Sequence, residues 1–202
     1  MIIGPEKLAL LIKKGREPDE PDPLVIVPTP DITEMEKDGS GSIDLRLGTW
    51  FVNLRQARKA ELDIGEHDHK KVAKSHYVRF NDKYYLHPGN FILGITLEWV
   101  RLPVNIFAYV IGKSSWGRRG LIIATATAVH PGFIGCLTLE ISNVGEMPIV
   151  IRPGMKICQL CFHGVDRSDE VMVDCSQFIG YRKPEIGAVK VDTFAKMLSG
   201  IE

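Results

Sequence analysis

Residues 112–120, Gly112-Lys113-Ser114-Ser115-Trp116-Gly117-Arg118-Arg119-Gly120, pack cations, hydroxyls and glycines between two apolar segments. A loop of this kind presents backbone N–H groups and fixed positive charge to an anion, and phosphate is the usual anion. The spacing excludes a P-loop, which needs a glycine five residues before its Gly-Lys-Ser; Phe107 stands at that position. A basic surface turn is the plainer reading of the same residues. Beyond the loop lies Glu140, within Cys136-Leu137-Thr138-Leu139-Glu140-Ile141. The alternation places Cys136, Thr138 and Glu140 on one face of a strand and the leucines and isoleucine on the other. An acid on such a face is commonly just solvated. Partly buried, it has a raised pKa and can exchange protons near neutrality.

Other chemistries find less support. Cys158-x-x-Cys161 has zinc-knuckle spacing but lies in a strand-like run, where positions three apart point to opposite faces. No second pair of ligands matches it, so the four cysteines, Cys136, Cys158, Cys161 and Cys175, are expected to be reduced thiols. His67 and His69 sit in a charged stretch and read as solvated, and His87 precedes a Pro-Gly turn. No serine lies on a nucleophile-elbow pattern. No metal site is expected.

The elements that must position these residues are mostly strands. Pro5 opens and Gly15 closes a short helix with lysines in its last turn. Residues 16–40 hold five prolines and read as a long irregular connection. Period-two patterns then suggest strands at 43–47, 50–54, 77–80, 91–99, 106–111, 137–141, 149–151 and 156–162, and the odd positions of 91–99 are all large and apolar. Pro-Gly pairs at 88–89, 131–132 and 153–154 mark turns. Residues 56–75 read as a charged, solvated excursion, and 191–198 as a short helix. Many short strands in one domain spanning 1–202 predict a mainly β fold, a sandwich or distorted jelly-roll barrel. Lys+Arg and Asp+Glu balance at 25 each, so no overall field points to a nucleic acid polymer or a membrane, and a cytoplasmic protein is expected.

Taken in order, further motifs make a family resemblance specific. They are Ser42-Ile43-Asp44-Leu45-Arg46-Leu47-Gly48, Tyr85-Leu86-His87-Pro88-Gly89, the loop with Gly120-Leu121, Pro131-Gly132-Phe133-x-Gly135, Leu139-Glu140-x-x-Asn143-x-Gly145 and Ile151-Arg152-Pro153-Gly154-Met155. The chain resembles the trimeric dUTPase and dCTP deaminase superfamily, and within it the dCTP deaminases most closely. The resemblance implies a distorted jelly-roll homotrimer with sites between subunits, deaminating without zinc.

In that scheme Glu140 is the general base and proton shuttle for water attacking C4 of cytosine. Ser114 helps to hold the water, and Arg118 orients the base and the glutamate. Lys113, Ser115, Trp116 and Gly117 hold phosphates, with Mg²⁺ arriving on the triphosphate. Further nucleotide contacts fall on His130, Thr138, Leu139, Gln159 and, in a covering tail, Tyr181 and Lys183. Departures from the family pattern are Lys113 for the usual arginine, His130 for the acid before Pro-Gly, Gly180 for a tail lysine, and one residue fewer across 122–129. Deamination of dCTP to dUTP and ammonia is the expected reaction. A dUTP pyrophosphatase, a bifunctional enzyme and a non-catalytic nucleotide-binding regulator stand as alternatives.

Overall fold

The computed structural model describes residues 1–37, 39, 41–54, 72–166 and 180–187. It opens with helix α1 (Pro5–Lys14), which buries Leu8, Ala9 and Ile12 and ends at Gly15. The proline-rich stretch after it is more ordered than its composition suggests. Strand β1 (Val25–Val27) and helix α2 (Ile32–Lys37) lie within it. The Asp31 carboxylate accepts the N–H groups of Thr33 and Glu34, so an Asx-type cap starts a helix that apolar periodicity is too short to reveal.

Most of the remainder is antiparallel sheet. The strands are β2 (Ser42–Arg46), β3 (Trp50–Leu54), β4 (Ala73–Tyr77), β5 (Tyr84–Leu86), β6 (Phe91–Arg101) and β7 (Ile106–Gly112). They continue with β8 (Leu121–Ile123), β9 (Ala128–Val129), β10 (Ile134–Asn143), β11 (Ile149–Ile151) and β12 (Lys156–Gly164). One sheet runs β4-β3-β6-β10-β8 with β1 added on β6, a second runs β2-β12-β7-β9, and β11 pairs with β5. This is the mainly β, jelly-roll type of arrangement that the strand pattern predicts, with no closed hydrogen-bonded barrel among the described residues. The strand expected at 77–80 instead ends at Tyr77, and β1, β5, β8 and β9 are too short for an alternation to show. The excursion at 56–75 lies mostly outside the described residues, and so do the helix expected at 191–198, Cys175, His67 and His69.

The core fills the space between the two larger sheets, with Leu45, Leu47, Phe51, Ile92, Leu139, Ile141, Leu160 and Phe162 among its most buried side chains. On β6 both faces are covered. The even-numbered face carries Ile92, Gly94, Thr96, Glu98 and Val100, all buried, so the apolar odd positions do not mark the inner side. A central strand flanked by neighbours in both layers loses the inside-outside alternation on which such a reading depends. Two polar residues on that face have structural work. Thr96 Oγ1 donates to the Glu98 carbonyl at 2.9 Å and accepts the N–H of Leu137 at 2.9 Å. Leu137 lies where β10 shifts register against β6, between Cys136 and Thr138. Thr96 therefore satisfies the amide that this bulge leaves off the ladder.

Candidate functional site

Glu140 sits on β10, where the expected alternation holds. Leu137, Leu139 and Ile141 are buried, and Cys136, Thr138 and Glu140 are half-buried on the other face. That face borders a cavity of about 350 Å³ lined by Glu140, Thr138, His130, Phe91, Leu93 and Thr125, with Glu185 and Ile186 reaching it from the C-terminal segment. Burial raises the Glu140 carboxyl above its ordinary value of 4.5. A carboxylate so placed, on a rigid strand beside an apolar-walled cavity, is suited to accept and return a proton.

The basic loop is built at a different place on the same chain. After β7 the chain enters a single helical turn, α3 (Ser114–Gly117), with Lys113 as its N-cap. Trp116 anchors the turn by donating from Nε1 to the Lys156 carbonyl at 2.8 Å, and Arg119 Nη1 donates to the Ser115 carbonyl at 2.6 Å. Gly120, at φ +84, closes the loop; a side chain there would meet the backbone of Gly145. Ser114, Ser115 and Arg118 are exposed, and Gly117 has open space around it. The loop leads into β8, which pairs with β10 from Leu121↔Asn143 to Ile123↔Ile141. The loop residues do not line the Glu140 cavity.

Lys113 is not a free cation. Its Nζ lies 2.5 Å from Asp44 Oδ1, which also accepts from Gln159 Nε2 at 3.2 Å, and Lys156 stands 3.4 Å from the other oxygen. Burial alone would raise the Asp44 carboxyl, but Lys113, Gln159 and Lys156 together hold it below its usual value. Nearby, fully buried Glu98 accepts the Arg46 N–H at 2.7 Å and faces its guanidinium at 3.3 Å. This cluster borders a second, polar cavity of about 270 Å³. Lys113 and Gln159 thus belong together, apart from Glu140.

The remaining predicted contacts divide. His130 is exposed at the Glu140 cavity, its ring edge-on to Phe107 at 5.6 Å. Leu139 is fully buried in the core and paired with Gly94 of β6, so the nucleotide contact expected of it is not open to a ligand. The C-terminal segment lies along β10: Gly180 N–H donates to the Ile134 carbonyl and the Tyr181 carbonyl accepts the Cys136 N–H. Lys183 rests 4.0 Å over the Trp50 ring, a cation–π contact. Thr125 and Glu185 were not legible from residue type or spacing. Only the hydrogen bond of Thr125 to the Glu140 main chain and the return of the tail bring them to the cavity. Cys158 is buried, its thiol pushed up to about 12 by burial. Half-buried Cys161 lies on the other face, and among the described residues no three metal-ligating side chains converge.

With this geometry in view, comparison with known families is decisive. The family model described as dCTP deaminase-like matches residues 22–165. The chain belongs to the dCTP deaminase-like family. A protein of Dictyoglomus thermophilum named "dCTP deaminase, dUMP-forming" is 39% identical over 81% of this chain and 80% of its own. One of Natronomonas pharaonis named "dCTP deaminase" is 40% identical over 60% of this chain and 63% of its own. The crystal structure of 2'-deoxycytidine 5'-triphosphate deaminase from Agrobacterium tumefaciens superposes with a TM-score of 0.57 at 22% identity. It covers 80% of this chain and 46% of the other, a likeness of fold.

Proposed function

We propose that this protein is a zinc-independent dCTP deaminase that works as a homotrimer, with Glu140 as its proton shuttle. The observation that carries the reading is a carboxylate of raised pKa on the cavity face of β10, in a chain that belongs to this family. Glu140 takes a proton from water as the oxygen bonds to C4 of cytosine, then delivers protons to N3 and to the amino group, which leaves as ammonia. Ser114 holds the water and Arg118 orients the base and the glutamate. Lys113, Ser115, Gln159 and the main chain of Trp116 and Gly117 hold the phosphates of the Mg²⁺-bound nucleotide. Thr138, His130, Tyr181 and Lys183 complete the pocket.

The loop and Glu140 stand apart on one chain, which supports a site formed when the loop of one subunit meets the cavity of the next. Tyr109 and Ile111, 38% and 48% exposed, add apolar surface for such an assembly. Among the described residues, no helix is long and apolar enough to cross a membrane. We place the enzyme in the cytoplasm, acting on free nucleotide.

The product is the point on which two readings differ. His130 before Pro131 lacks a carboxylate's charge and two-oxygen grip on water, which favours dUTP as the final product. A bifunctional, dUMP-forming enzyme is favoured by the name of the Dictyoglomus relative and by Glu185, whose residue lines the same cavity as His130. Incubating the protein with dCTP, dUTP and CTP, while assaying ammonia and separating the nucleotides, tests both. Ammonia from dCTP with accumulating dUTP is the expected result. Conversion of added dUTP to dUMP, lost in His130→Ala or Glu185→Gln, establishes the second reading, and absence of ammonia from dCTP refutes both. Ammonia release is expected to survive a zinc chelator that spares Mg²⁺.

A further inference from the structure

The hydrogen bonding around Glu140 departs from a regular ladder at one point. β8 and β10 pair through Ile123↔Ile141, and the same register sets Ala124 opposite Glu140. Half of the next ladder rung is present, since Ala124 N–H donates to the Glu140 carbonyl at 2.8 Å. A regular antiparallel pair would return the bond from Glu140 N–H to the Ala124 carbonyl. Here that N–H donates to Thr125 Oγ1 instead, at 2.9 Å.

The substitution has a topological reason. Just past Ala124 the chain leaves the six-stranded sheet and crosses to the four-stranded one. Val110 N–H donates to the Thr127 carbonyl at 2.8 Å, and Ala128 of β9 pairs with Tyr109 of β7. A chain turning away cannot keep offering its carbonyls to β10, and a side-chain hydroxyl can reach back where the main chain has left. Thr125 is half-buried at the wall of the cavity that holds Glu140. It pins the crossing segment and the backbone of the acid with one bond. With its oxygen accepting from the amide, the hydroxyl keeps its own proton to donate.

We infer that Thr125 is the positioning residue of Glu140, its hydroxyl taking the place of a ladder carbonyl so that the carboxylate is aimed while the chain departs between the sheets. The inference rests on Glu140 being the proton shuttle. Proton transfer needs the heavy atoms within hydrogen-bond reach, and displacement by about 1 Å can lower turnover on the order of 10²-fold. Uniform binding of the nucleotide does not depend on that aim, so the effect falls on kcat rather than KM.

The test compares Thr125→Val, Thr125→Ser and Glu140→Gln by ammonia release from dCTP and by thermal melting. Valine keeps the branched shape and removes the acceptor. Thr125→Val is expected to lose roughly 10- to 100-fold in kcat, with KM little changed and the melting temperature lowered by about a few degrees for the amide left without its acceptor. Thr125→Ser, which retains the hydroxyl, should stay within about twofold of wild type. Full turnover by Thr125→Val beside an inactive Glu140→Gln overturns this inference alone. Equal losses in the valine and serine variants also overturn it, because they would trace the effect to the methyl group's packing. Full turnover by Glu140→Gln removes the reading on which the inference depends.

Discussion

At the scale of the residue, burial decides what each ionisable group can do. Burial raises the Glu140 carboxyl, and in its proposed role as base it must be deprotonated in the free enzyme. The acid limb of kcat/KM should therefore lie above the 4.5 of an ordinary glutamate, activity rising with pH through the raised pKa. A flat profile down to pH about 4.5 in folded protein would contradict this. Glu140→Gln preserves size and removes the basic site, so turnover should fall about 10²- to 10⁴-fold while nucleotide still binds, a comparison that calorimetry and ammonia release make together. Cys158 illustrates the same physics without catalysis. Its thiol, pushed up to about 12 and fully buried, is neither thiolate nor accessible at neutral pH. Peptide mapping after iodoacetamide treatment of the native protein should find it unlabelled, and rapid labelling would mean that β12 opens readily.

At the scale of the element, the longer strands, α1 and the three-residue β11 could be read from sequence, while β1, β5, β8 and β9 could not. β3 and β11 match their expected spans, and β10 shows the alternation that singles out Glu140. Strands of two or three residues such as β8 and β9 carry too few positions for a period, yet β8 is what joins the basic loop to the Glu140 strand. Type and spacing marked Lys113 as a cation but not its carboxylate partner Asp44, distant in sequence and adjacent only through the β2-β12-β7 pairing. Where the loop closes, Gly120 makes the junction testable. Its φ of +84 and the Gly145 amide nitrogen, 2.9 Å from any added Cβ, leave no room for alanine. Gly120→Ala should cost roughly 1–3 kcal/mol from backbone strain, read as a lower urea midpoint, and should weaken nucleotide binding as the loop shifts. An unchanged midpoint would mean that the loop tolerates another path.

At the scale of the whole molecule, one chain holds the parts of the proposed site without joining them. Glu140, Thr125 and His130 share one cavity, Lys113 and Gln159 gather around Asp44 by another, and Ser114 and Arg118 are exposed at the turn that follows Lys113. A homotrimer that sets the loop of one subunit against the cavity of its neighbour would unite them, and light scattering should give a mass near three chains. The family resemblance carried this expectation; composition and periodicity cannot see across a subunit boundary. The most direct test mixes two variants, Glu140→Gln and Arg118→Ala, each expected to be inactive alone. They are unfolded, combined in equal amounts, refolded and assayed for ammonia from dCTP. Random assembly leaves roughly a quarter of the sites with an intact loop from one subunit and an intact acid from the next, so activity near that fraction of wild type should return. A mixture that reassembles as trimers and stays inactive would contradict a deaminating site shared between subunits.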